Sequence, residues 1–199
     1  MANQKILVTG CAGFIGYHLG KSLLKDNFEV LGVDNMNSYY DKKLKVARLK
    51  KLNKYNNFHF EKIDISDRKL ITQLFEKFCP NIVVNLAAQA GVRHSITNPY
   101  DYIDANLVGF INIIELCRNN KVEGLIYASS SSVYGANKKI PFKEIDKTET
   151  QLSIYASTKK SNESMAHSYS NIWKIPITML RFFTVYGPWG RPDMALFRF

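Results

Sequence analysis

Short apolar runs alternate with longer segments of helical periodicity along most of this chain, and that alternation limits the fold more than any other feature. The strand-like runs cover residues 6–9, 29–33, 58–63, 82–86, 124–128 and 177–180. Segments with helical spacing lie between them at 14–26, 41–54, 67–78, 99–120 and 155–172. Continuous apolar strands suit a parallel sheet covered on both faces. Strict strand–helix alternation implies right-handed crossovers, hence an α/β fold with a doubly wound parallel sheet. Ser66 and Asp67 mark one helix start, and Pro80 follows that helix after Cys79. Residues 129–154 fit no helix and are expected to form an excursion at the functional edge.

Composition excludes several classes. With 199 residues, 46% of them hydrophobic, there is material for one sizeable core and little for a second large domain. No apolar run approaches membrane-spanning length, so no span is expected. The chain enters the strand-like KILVTG with no leader visible, and its three cysteines are odd in number and scattered. Both features favour a cytoplasmic, reducing setting over a disulfide scaffold. No Cys/His cluster predicts a metal site. His18 and His167 read as packing or surface residues, and Cys11 as a small residue in a turn rather than a reactive thiol.

The net charge of +10 is local. Residues 42–54 hold seven of the 27 Lys and Arg and no acid, leaving 20 bases against 17 acids elsewhere. Around a helix axis those seven form no single stripe. A solvated basic helix is therefore expected, with no nucleic-acid partner.

Two patterns carry chemistry. Gly10-Cys11-Ala12-Gly13-Phe14-Ile15-Gly16 follows the first strand and opens the first helix. In such a turn Gly10 permits the tight bend, Gly13 a close approach to a pyrophosphate, and Gly16 helix-on-strand packing. Free N–H groups at the helix start favour phosphate, with Phe14 and Ile15 contributing through their backbone. Glycine turns also serve plain packing, but here Asp34 ends the second strand, where a carboxylate binds both ribose hydroxyls and repels a 2′-phosphate. NAD is favoured over NADP. Asn35, Asn37, Asp64 and Ile65 are placed around the adenosine with Tyr39 and Tyr40, and Leu86, Ala87, Ala88 and Gln89 along the nicotinamide half. The second pattern is Tyr155-Ala156-Ser157-Thr158-Lys159, which sets a phenol and an ammonium on one helical face. A neighbouring Lys lowers a tyrosine pKa toward the range of a general base. Taken alone, this spacing also fits an ordinary surface pair. The run Ser129-Ser130-Ser131-Ser132 follows the fifth strand, where strand ends line a ligand crevice.

In this order, these motifs resemble the extended short-chain dehydrogenase/reductases, and among them the nucleotide-sugar epimerases of the UDP-glucuronate 4-epimerase group. The resemblance runs from Lys5 to Phe199 through ILVTGCAGFIG, VDNMNSYYD, NLAAQAGVRHS, YASSSSVYG, SIYASTKKSNE and LRFFTVYGPWGRPDMALF. The glycine turn, Tyr155 and Lys159 are common to the superfamily, whereas DNMNSYYD, AAQAGVRHS and RFFTVYGPWGRPDMA are specific to the glucuronate group. Related dehydratases carry Asp-Glu, and decarboxylases Glu, just before VYG. This chain has Ser131-Ser132 there, which leaves reversible hydride transfer.

The resemblance implies a Rossmann domain over 1–180 with bound NAD, and the start of a substrate-binding region over 181–199. It implies that Tyr155 takes the proton of the sugar 4-hydroxyl as hydride passes to NAD, that Ser130 bonds the same oxygen, and that Lys159 holds the nicotinamide ribose and keeps Tyr155 acidic. Ser129 joins the cofactor site, and Asn106 holds its helix through a backbone bond. Ser131, Ser132, Thr184 and Arg191 are the expected holders of the sugar carboxylate, with Arg93 a further sugar or phosphate contact. A homodimer through helices 99–120 and 155–172, and a role in surface-polysaccharide precursor supply, are also implied. Family members continue well past RPDMALF, so these 199 residues are expected to bind NAD, to hold UDP-sugars poorly and to turn over little. An enzyme acting on another nucleotide sugar, and a non-catalytic NAD-binding module, are the competing readings. The intact Ser130, Tyr155 and Lys159 disfavour the module.

Overall fold

In β1 (Lys5–Thr9), side chains alternate between two cores, and the rest of the molecule is built outward from that strand. Ile6 and Val8 face one hydrophobic cluster and Leu7 faces the other, because successive strand side chains point to opposite faces. The computed structural model describes residues 4–194. The remaining strands are β2 (Glu29–Val33), β3 (Phe58–Glu61), β4 (Ile82–Asn85), β5 (Gly124–Ser130) and β6 (Ile177–Phe182). They form one sheet in the order β3-β2-β1-β4-β5-β6, with every neighbouring pair parallel. The chain runs from β1 to one edge, returns past β1, and then builds the other half. The strand order therefore reverses between β1 and β4, which opens a crevice at their C-terminal ends.

Helices cover both faces: α1 (Phe14–Lys25), α2 (Lys42–Leu52), α3 (Arg68–Phe78), α4 (His94–Thr97), α5 (Pro99–Tyr102), α6 (Gly109–Asn119) and α7 (Ile154–Trp173). Tyr17 and Leu24 of α1 and Leu49 and Leu52 of α2 close one core, and Ile71, Phe75, Phe110, Ile113 and Ala166 close the other. Asp67 caps α3 by accepting from Leu70 N, and Cys79 ends it in the left-handed region at φ 52°.

Several expectations are corrected. Helix 99–120 is not one regular helix: residues Ile103–Val108 form a π turn between α5 and α6. The short helix α4 begins at His94, in the last two residues of the AGVRHS segment. β5 runs on through Ser129 and Ser130, and Ser131–Tyr134 form a 3-10 turn at the start of the expected excursion. Coverage of both sheet faces ends at β6, where Thr178, Met179 and Leu180 are exposed. The basic helix is not simply solvated. Lys45 and Arg48 of α2 are buried beside Leu49 and Leu52. Residues 195–199, part of the expected substrate region, lie outside the described residues.

Candidate active site

A cavity of about 420 Å³ occupies the crevice at the C-terminal ends of β1, β4 and β5. Of the residues singled out in the sequence, all but Ala12, Arg93 and Asn106 line it. Ala12 is buried behind the glycine turn. Asn106 lies in the π turn, where its Oδ1 accepts from Gln89 N at 2.8 Å and its Nδ2 donates to Gln89 O at 3.1 Å and to Thr158 Oγ1 at 3.0 Å. It fixes the strand-end backbone to α7 rather than reaching into the cavity. Arg93 is exposed just ahead of α4 and away from the cavity wall.

The glycine turn is built by close contact. Gly10 sits at φ 70°, its N–H donates to Val33 O at 2.7 Å, and any Cβ there would press on the backbone of Ala87. A Cβ on Gly16 would overlap Gly10 O and the Cys11 Cα, so α1 rests directly on the turn. No side chain caps α1 at Gly13. Its first N–H groups therefore face the cavity as an anion site.

Asp34 is buried at the end of β2, and its Oδ1 accepts from Met36 N at 2.8 Å and from Lys45 Nζ at 3.3 Å. Asp64 is braced at both oxygens, by Asn35 Nδ2 at 2.7 Å and by Ser66 N and Oγ at 2.9 and 2.7 Å. Burial alone would raise its carboxyl, but these donors hold it below the usual range.

At the other end of the cavity, Ser130 closes β5 and accepts from Ser132 N at 3.2 Å, and it lines the same wall as Tyr155. Ser153 caps α7 by accepting from Ala156 N at 3.1 Å, which places Tyr155 in the first turn and Lys159 one turn on. Burial raises the Tyr155 phenol above its ordinary value, and Ser130 and Arg191 offset only part of that rise. Lys159 is deeply buried. Its Nζ donates to Ala128 O at 2.8 Å and lies 5.0 Å from the Tyr127 ring centre, and burial lowers it to about 7. Nothing in a Tyr-x-x-x-Lys spacing reveals that burial.

Arg191 grips Asp193 in a fork, with Nε to Oδ1 at 3.0 Å and a terminal nitrogen to Oδ2 at 2.6 Å, and Tyr39 donates to Oδ2 at 3.2 Å. Two supporting residues escaped sequence reasoning. Tyr102, fully buried, donates to Ala90 O at 2.9 Å and to Gly91 O, and sits edge-on to Tyr155 at 6.1 Å. Glu163 takes Ser129 Oγ at 2.6 Å. Both lie on helices at positions whose only signature is an inward-facing polar group.

A family model described as NAD dependent epimerase/dehydratase matches residues 6–199. The chain belongs to that family. Protein CapI of Staphylococcus aureus is 57% identical over 98% of this chain and 58% of its own length. A probable UDP-glucuronate 4-epimerase of Rhizobium meliloti is 50% identical over the same shares. The crystal structure of UDP-glucuronic acid 4-epimerase from Bacillus cereus, in complex with UDP-glucuronic acid and NAD, matches with a TM-score of 0.91 at 38% identity, over 98% of this chain and 61% of that one. The chain thus spans about three fifths of the length of these relatives. Like other members of the NAD dependent epimerase/dehydratase family, it offers what a dinucleotide needs: an uncapped helix start behind a turn with no room for a Cβ, and a buried strand-end carboxylate.

Proposed function

We propose that the protein containing this chain inverts C4 of UDP-glucuronate to give UDP-galacturonate, through a 4-keto sugar. The observation that carries this reading is one cavity lined together by Ser130, Tyr155, Lys159, Ser131, Ser132, Thr184 and Arg191. The serines after Ser130 supply no acid or base for elimination or decarboxylation, whereas the guanidinium suits a sugar carboxylate.

NAD, when bound, supplies the hydride acceptor and donor. Gly10, Gly13 and the start of α1 would hold its diphosphate, and Asp34 its adenosine ribose. Tyr155 accepts the 4-hydroxyl proton and later returns it. Ser130 donates to the same oxygen, which steadies charge as the carbonyl forms. Lys159, which lines the cavity one turn after Tyr155, would hold the nicotinamide ribose. Arg191 must exchange Asp193 for the sugar carboxylate. Held there, the carboxylate is kept from the alignment in which the β-keto acid intermediate would lose carbon dioxide. Incubation of the full-length protein that contains this chain with UDP-glucuronate and NAD is expected to yield UDP-galacturonate with no carbon dioxide, read by chromatography. Release of a pentose nucleotide, or no reaction, would overturn the reading.

The same reading places the protein in the cytoplasm as a homodimer through helices 99–120 and 155–172, with 1–180 as the dinucleotide domain and 181–199 opening the substrate region. Among the described residues, no helix is long and apolar enough to cross a membrane. Ile103 and Val108 in the π turn, and Ile172 and Trp173 at the end of α7, leave apolar surface for such a contact. Sedimentation is expected to give twice the chain mass, and a monomer at all concentrations would remove the dimer.

A further inference from the structure

Besides Lys45, which pairs with Asp34, the basic helix α2 carries on its inward face a second cation with no ion-pair partner among the described residues. Arg48 is fully buried, and none of the ion pairs among the described residues includes it. One terminal nitrogen donates to Ala12 O at 2.9 Å and to the Tyr40 hydroxyl at 2.8 Å. The other donates to Trp189 O at 2.5 Å and to Gly190 O at 3.3 Å. Its Nε is buried without a partner, so the guanidinium is bonded only to neutral oxygens and only in part, which is costly unless an anion completes its surroundings.

Its partners lie at two functional places. Ala12 belongs to the glycine turn, and Gly190 immediately precedes Arg191. The same C-terminal segment is gripped at further points by α1 and α2. His18 Nε2 is 2.9 Å from Pro188 O, the Trp189 ring packs 5.9 Å from Tyr17, and Lys51 Nζ sits 5.0 Å from the Trp189 ring centre. Trp189 itself is held at φ 65°, where side chains are rarely found, with Arg48 fastened to its carbonyl.

We propose that Arg48 is a positioning residue that couples occupancy of the glycine turn to the placement of Arg191. A diphosphate at the start of α1 supplies the negative charge that the buried guanidinium lacks, and the Ala12 peptide is the link between them. The other arm of the guanidinium passes that constraint to Trp189 and Gly190. Lysine cannot substitute, since a single ammonium does not span both segments as a planar fork does. The substrate half of this proposal rests on Arg191 receiving the sugar carboxylate, while the cofactor half does not.

Trp173→Phe leaves Trp189 as the sole tryptophan of these 199 residues, and any tryptophan elsewhere in the protein is replaced by phenylalanine as well. In that background, titration with NAD is expected to shift Trp189 emission. Adding Arg48→Lys should keep NAD binding within about threefold, abolish the shift, and raise KM for UDP-glucuronate about tenfold with kcat nearly unchanged. His18→Phe keeps the ring contacts but drops the Pro188 bond. It should weaken the shift without touching a buried charge, and so serves if Arg48→Lys fails to fold. An unaltered Trp189 response in Arg48→Lys, or in His18→Phe should the first not fold, overturns the proposal. If UDP-glucuronate proves not to be the substrate, the fluorescence result alone decides, so the two readings fail separately.

Discussion

Tyr155→Phe is expected to lower kcat for epimerisation by about 10²–10⁴-fold while leaving NAD affinity and thermal stability close to those of the parent protein. The hydroxyl is the only atom lost. The ring keeps its edge-on contact with Tyr102 at 6.1 Å, and the Ser153 cap that sets the start of α7 is untouched. What disappears is the proton acceptor that Ser130 addresses, together with the phenol that Arg191 stabilises in its ionised form. Because burial alone raises that phenol, rate should depend on the groups that lower it. Measurement of kcat and NAD affinity on the same preparation separates chemistry from binding. A variant retaining more than a tenth of parental kcat would remove Tyr155 from the role of proton acceptor.

Glu163→Gln is expected to destabilise the fold by about 3 kcal/mol, a fall in Tm of roughly 6–12 °C for a chain of this size. Glu163 of α7 joins three elements. Its Oε1 accepts from Ser129 Oγ at 2.6 Å and Arg181 Nε at 2.9 Å, and its Oε2 accepts from Arg181 at 3.0 Å. Arg181 also donates to Glu144 O at 3.1 Å and lies over the Tyr134 ring at 4.9 Å, so one carboxylate ties β5, β6 and the loop after the 3-10 turn. Neutralising it strands a largely buried guanidinium. Burial raises the Glu163 carboxyl, but Arg181 and Ser129 outweigh that and leave it below its ordinary value. A carboxyl lowered in the folded state contributes stability above its unfolded pKa of about 4.3, and loses it as pH falls through the folded value. The Tm gap between parent and variant should therefore be full at pH 7 and shrink in acid. A gap of less than about 1 kcal/mol at pH 7 would show that the network carries little stability.

How much of this was legible in the sequence depended on where each residue's partner lay. The first two strands and the glycine turn were readable because their signals are local: apolar runs, and glycines at fixed spacing beside a strand end. Ser130, Tyr155 and Lys159 were readable as a set because each stands at a strand end or helix start. Arg48 and Lys45 were not. In KKLKVARLKKL, inward and outward bases look alike, and Arg48 owes its burial to carbonyls 36, 141 and 142 residues away. The π turn at Ile103–Val108 was hidden for a related reason. Within it Asn106 reaches Gln89 and Thr158, bonds to distant residues that leave the apolar periodicity on either side intact. The state of Lys159 followed from depth, which spacing does not encode.

The parallel run of all six strands has a consequence for how such a molecule can change. Every strand delivers its last residue to the same rim, so Thr9, Asn85 and Ser130 lead straight into the loops that line the cavity, while the opposite rim carries only the returns from helix to strand. The two rims are thus open to different kinds of variation. Residues after the strand ends can be exchanged to suit another ligand without disturbing the side chains that interdigitate between sheet and helices. Changes at the opposite rim alter only how firmly the scaffold stands. A single direction of travel separates durability from adaptability within one continuous sheet.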